Sequence, residues 1–233
     1  MPRLGVIFLY FFMNGCTEGK NIAERYGNPP PLKWSNGEHK IGEGVTLKAY
    51  IFFDTDDYET QATEKNVTKY FTAIFTKAQE HFHNNSVMIS IEIRNISKNT
   101  DLEVWEASEK ALDGNATLKR LQNYSQSIGL TNDSIVYLYT EKTPVDKAYM
   151  GAAIPGVFST FSTFGTFCSN VNSAAIVVQK PGNCSYWKTV KATTPVFGTR
   201  HFIQFTEDDI KTMNKTFSRC HVNKKMSKDS EGK

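Results

Sequence analysis

Histidines, a cluster of aspartates and the cysteines are the residues of this chain whose side chains could do more than pack. There are five histidines. His81 and His83 are two apart in a stretch of helical periodicity, so they point to different faces and cannot ligate one metal from that helix. His39, His201 and His221 have no partner at a ligand spacing, and surface or locally hydrogen-bonded imidazoles are expected throughout. Asp54, Asp56 and Asp57 offer carboxylate oxygens of the kind Ca²⁺ takes, but EF-hand spacing is absent and a solvated acidic turn is expected. No Gly-x-Ser-x-Gly elbow presents a nucleophilic serine. These residues nominate no catalytic residue, no metal ligand and no cofactor.

A second pattern concerns contact rather than chemistry. Phe158, Phe161, Phe164 and Phe167 recur every third residue in a Ser/Thr-rich run after a small-residue loop. Core filling under that loop is one reading. If the loop is exposed, the four rings form an apolar patch suited to a partner protein.

Residues 1–16 have the parts of a signal peptide: Arg3, an apolar core from Leu4 to Met13, and small residues at Gly15 and Cys16. A buried N-terminal strand fits less well, because nothing polar alternates in it. The apolar core is too short to span a bilayer, and no later run is long enough. Eight Asn-x-Ser/Thr sequons follow, at Asn66, Asn84, Asn95, Asn115, Asn123, Asn132, Asn183 and Asn214. That density points to a secreted, extracellular glycoprotein with these asparagines on its surface. If Cys16 leaves with the signal, Cys168, Cys184 and Cys220 remain, an odd count that implies one disulfide and one leftover thiol. Net charge is +3, with lysines gathered near the C-terminus, so a nucleic-acid partner is not expected.

The elements that must position these residues fit one domain of ordinary composition, 39% hydrophobic and 12% aromatic. Residues 17–44, with Asn28-Pro29-Pro30-Pro31, form an extended arm with no propeptide-sized segment before the first core element. A single domain is expected over 45–221 and a disordered basic tail over 222–233. Val45 to Phe53 reads as a strand, Thr60 to His83 as an amphipathic helix, and Val87 to Ile96 as an alternating strand. One or two helices broken near Asp113-Gly114 come next, then strands at Ile135–Thr140 and Ala174–Gln179. The second ends at the breaker Lys180-Pro181-Gly182. Thr206 opens a last helix with acids in its first turn. The order β-α-β-α-β-loop-β-loop-α makes an α/β sheet of four to five strands packed by helices.

In this order, VTLKAYIFFDTDDY, VMISIEIRNI and IVYLYT resemble the first half of a reprolysin (ADAM-like) metalloprotease domain. Ala148–Gly151 with Gly165–Cys168 is similar to that family's loop leading to a cysteine, SAAIVVQ to its edge strand before the zinc helix, and Phe205–Cys220 to its closing helix. The resemblance implies a metzincin-like twisted mixed sheet. It also implies a disulfide between Cys168 and Cys220, leaving Cys184 either free or in an intermolecular pair. The family's zinc motif, His-Glu-x-x-His-x-x-Gly-x-x-His, occurs nowhere in the chain. Pro181 to Pro195 holds no His and no acid where the zinc helix should stand, and Thr194 to Gly198 has no Met for the Met-turn. A degenerate or lost zinc helix is therefore expected. With the export signal and the sequons, this pattern is similar to the metastriate family of small secreted hard-tick salivary proteins. The resemblance implies a non-catalytic effector that binds a host extracellular protein of haemostasis or immunity. The alternatives are an active reprolysin-type peptidase with an atypical zinc site, and a lipocalin-like carrier, which the helical periodicity at Val67–Phe82 argues against.

Overall fold

The computed structural model describes residues 40–62, 65–107, 111–146 and 158–222. The proposed signal peptide, nearly all of the N-terminal arm, the loop around Gly151 and most of the basic tail lie outside them. In chain order the elements are β1 (Thr46–Phe53), α1 (Asp57–Thr60), α2 (Val67–Asn84), β2 (Ser90–Lys98), β3 (Leu112–Asp113), α3 (Gly114–Ser127) and β4 (Ser134–Thr140). They continue with β5 (Pro144–Val145), β6 (Thr160–Ser162), β7 (Ser173–Val178), α4 (Trp187–Val196) and α5 (Glu207–Phe217).

The main sheet has five strands in the order β2-β1-β4-β7-β6, and β3 pairs with β5 in a small second sheet. β1, β2, β4 and β7 run parallel, while β6 is antiparallel to β7. Parallel neighbours need crossovers: α2 joins β1 to β2, and α3 carries the chain from β2 across to β4. Every residue of β4 is buried, as a central strand covered on both faces requires. Alternate side chains divide the sheet into two cores. Ile51, Phe53, Tyr137, Tyr139 and Val177 pack under α2, α4 and α5. Phe52, Val136, Leu138 and Ile176 pack with Leu118 and Leu121 of α3.

Local chemistry sets the helix starts. The Asn66 side chain accepts from the Lys69 N–H at 2.9 Å, so α2 begins at Val67 rather than at Thr60. Asp113 caps α3, and Thr206 with Asp209 forms a capping box on α5. Among the described residues, contacts begin before Val45: Ile41 is buried, and its carbonyl accepts from the Met88 N–H at 2.7 Å. SAAIVVQ is not an edge strand, because β7 lies inside the sheet and the short β6 covers its outer side. No helix among the described residues is long and apolar enough to cross a membrane.

Cys168 and Cys220 form a disulfide across a separation of 52 residues, with Cα atoms 5.0 Å apart. The expectation for Cys184 is corrected. Cys184 is buried and disulfide-bonded rather than free. The odd count that implied a leftover thiol therefore does not hold in the folded chain.

Candidate functional site

The segment expected to hold a degenerate zinc helix folds as α4, an element that propensity did not announce because threonine and valine crowd it. Its inner side is fastened to the sheet. Thr189 and Thr193, one turn apart, sit with their hydroxyls 2.7 Å and 2.8 Å from the phenol oxygens of Tyr139 and Tyr137. Burial raises both phenols above their ordinary range, so they stay neutral hydrogen-bonding groups.

The outer side of α4 is cationic. Lys191 Nζ donates to Ser159 Oγ at 3.1 Å and lies 5.6 Å from the centre of the Phe202 ring. Lys188 Nζ donates to the Val178 carbonyl. Burial lowers the Lys188 ammonium from its ordinary range, and the Lys191 charge adds to the effect. Two residues before Phe202, the guanidinium of Arg200 sits 5.6 Å from the Phe164 ring. Ser159, Lys191 and Phe202 thus form one string of contacts and Arg200 with Phe164 another, joined through the chain at residues 200–202, and Ile203, next in sequence, is exposed.

The four phenylalanines do not form one patch. Phe167 is fully buried against Phe197 and Phe217, the core-filling outcome. Phe161 is half-buried on the α3 side with Phe158 5.4 Å away, and it lies where a side chain at Gly114 would otherwise be. Phe164 alone is largely exposed, at 56%.

The aspartates do not converge either. Asp54, at the end of β1, turns inward and accepts from Thr140 Oγ at 2.6 Å. Lys142 Nζ sits 3.1 Å from the same Asp54 oxygen and 2.8 Å from both Glu103 oxygens, with the Trp105 ring 5.0 Å away. Asp56 instead pairs with Lys98, and Asp57 opens α1. The solvated acidic turn is therefore corrected for Asp54, whose carboxylate is drawn into the fold by Lys142. The Asp54–Glu103–Lys142 group lies beyond the carboxyl ends of β1 and β4, where successive crossovers leave in opposite directions and where sheets of this type often bind ligands. One Asp54 oxygen, Oδ1, has no hydrogen-bond partner among the described residues. Burial raises the Glu103 carboxyl against the opposing pull of Lys142. Burial also opposes charge on Lys142, but the hydrogen bonds of Glu103 and Asp54 hold its ammonium above the ordinary range.

Three of the described histidines, His81, His83 and His201, sit at hydrogen-bond distance from a partner. His81 Nε2 lies 2.7 Å from the Phe202 carbonyl, and burial lowers its pKa. His83 Nε2 lies 2.7 Å from the Ile89 carbonyl. His201 Nδ1 lies 2.8 Å from Asp209 Oδ2, on a carboxylate that hydrogen bonds from Thr199, Thr206 and His201 hold below its ordinary pKa although burial opposes them. No group of three or more metal-ligating side chains converges among the described residues.

Six sequon asparagines are exposed, namely Asn66, Asn84, Asn115, Asn123, Asn183 and Asn214, while Asn95 and Asn132 are half-buried. The stretches 133–182 and 184–213, which carry β6, α4 and the Arg200–Ile203 segment, contain no sequon. Sequence reasoning passed over Lys188, Lys191 and Arg200. The signal was present: between Asp146 and Glu207 the chain has Lys147, Lys180, Lys188, Lys191 and Arg200 and not one acid.

No protein-family model and no curated protein matches the sequence. Among solved structures, metalloproteinase-II from Bacteroides fragilis is similar, with a TM-score of 0.47 at 11% identity. The match covers 77% of this chain and 55% of that protein's length. The expectation that the chain is not an enzyme is corrected here. The neighbour found is a metalloproteinase, and nothing in the described residues positively marks a protein without activity.

Proposed function

We propose that the chain is a secreted, glycosylated effector that acts by binding a host extracellular protein, on a reprolysin-like fold and within the salivary group its sequence resembles. The element order and the antiparallel edge strand beside the last parallel strand support the fold reading. The observation that carries the functional reading is the distribution of sequons. They occupy α2 and its N-cap, β2, α3, α5 and the loops before β4 and α4, and none lies within β6, α4 or residues 200–203, the segments that build the β6–α4 face. A glycan excludes a protein partner from the surface it covers, so the bare face is where a partner fits. The disulfides support an oxidising compartment.

The test is expression of the full chain in eukaryotic cells, with glycan occupancy by mass spectrometry and capture from blood plasma. The reading expects export, glycans on the exposed asparagines and one plasma protein held at a fixed stoichiometry. Retention in the cell, bare asparagines or no capture would overturn it. Stoichiometric zinc together with peptide cleavage would replace it with a peptidase.

A further inference from the structure

We propose that the β6–α4 face recognises an acidic segment of its partner protein, a deepening that rests on the binding reading above. Lys188 and Lys191 are half-buried one turn apart on α4, and Arg200 stands beyond Phe202 on the same surface. None of the three has a carboxylate partner among the described residues, whereas Lys48, Arg94, Lys98, Lys142, His201 and Lys211 each do. The polar contacts of the two lysines are to the Val178 carbonyl and the Ser159 hydroxyl, which orient an ammonium without neutralising it. Lys188 and Lys191, partly desolvated and uncompensated beside one another, are stabilised by an incoming anion, and exposed Arg200 offers it a further charge.

The anion is carried on a protein segment because the cations alternate with rings. Phe202 lies against Lys191, Phe164 against Arg200, and Ile203 is exposed beside them. A free anion would leave those rings in water. A segment that mixes Asp or Glu with apolar residues covers the rings and pairs the charges at once.

The test immobilises the full glycosylated chain and measures binding of a short peptide alternating Glu with Leu, its Gln-Leu counterpart, and heparin. The inference expects the Glu peptide to bind about tenfold more tightly than the Gln peptide, and the double variant Lys191→Glu, Arg200→Glu to lose at least that factor. Equal affinity for the two peptides, no binding of either, or no effect of the double variant would overturn it. Heparin binding that excludes the Glu peptide would overturn it too, assigning the face to a sulfated polysaccharide. A melting temperature for the double variant close to that of the unaltered chain separates lost recognition from lost folding. In the plasma experiment, equal capture by both chains sinks this inference and leaves the binding reading standing; no capture by the unaltered chain sinks the binding reading itself.

Discussion

Two groups of charge in this molecule are built on opposite plans. Beyond the carboxyl ends of β1 and β4, Asp54 and Glu103 are nearly sealed from solvent, with side chains 3% and 4% exposed, and both are held by Lys142. On the outer side of α4, Lys188, Lys191 and Arg200 meet hydroxyls, carbonyls and rings but no acid. The first group is compensated from within and ties three segments of chain together. The second is left to be compensated from outside. Lysine in itself signifies neither: what decides its part is whether the fold returns a carboxylate to it.

Cutting the link that holds the rim of the open face should have the largest effect. Cys168 closes the loop that begins at Phe164, so Cys168→Ser with Cys220→Ser should cost about 4 kcal/mol by the chain-entropy model. Chemical denaturation of the non-reduced proteins measures it. A loss under about 1 kcal/mol would mean that the core alone fixes that loop.

Lys142→Met comes next. It strands two buried carboxylates and should cost about 3 kcal/mol at neutral pH. Its pH dependence carries a definite sign. Burial raises the Glu103 carboxyl, so its share of stability is complete below the ordinary 4.5 and is lost as pH rises through the raised folded value. The deficit of Lys142→Met should therefore shrink as pH falls toward 4.5, and a deficit that grows on acidification would contradict the sealed-carboxylate picture.

Thr193→Val removes a partner of the buried Tyr137 hydroxyl and should cost about 1 to 2 kcal/mol, a measure of how firmly the inner side of α4 is fastened. The smallest effect is expected at Lys188→Met. Removing an uncompensated, partly desolvated charge should leave stability within about 0.5 kcal/mol or raise it. A large loss there would erase the contrast between the two regions.

Much of this was legible before the fold was known. The alternation in Ile89–Ile93, the helical spacing from Tyr70 to Phe82 and the capping residues at Thr206 all report local rules that the structure keeps. What escaped was decided at a distance. Asp54 looked like a surface carboxylate because Lys142 is far away in sequence. α4 was hidden because its threonines serve tyrosines on β4, a contact no local pattern encodes. Phe158–Phe167 read as one repeat, yet β6 and the turn after it send the rings to the core, to the α3 side of the sheet and to the solvent. Cys184 read as odd only because the count assumed which cysteines remain in the folded chain.

The claim that the β6–α4 face is the partner surface has a direct test in a single substitution. Phe164→Asn creates a sequon with Gly165 and Thr166 at an exposed position on the rim of that face. The glycosylated variant should be exported and melt like the unaltered chain, yet capture no plasma protein. Removing the new glycan would restore only what loss of the Phe164 ring permits. If the glycosylated variant captures the same protein at the same affinity, the partner binds elsewhere and the account of this face is wrong.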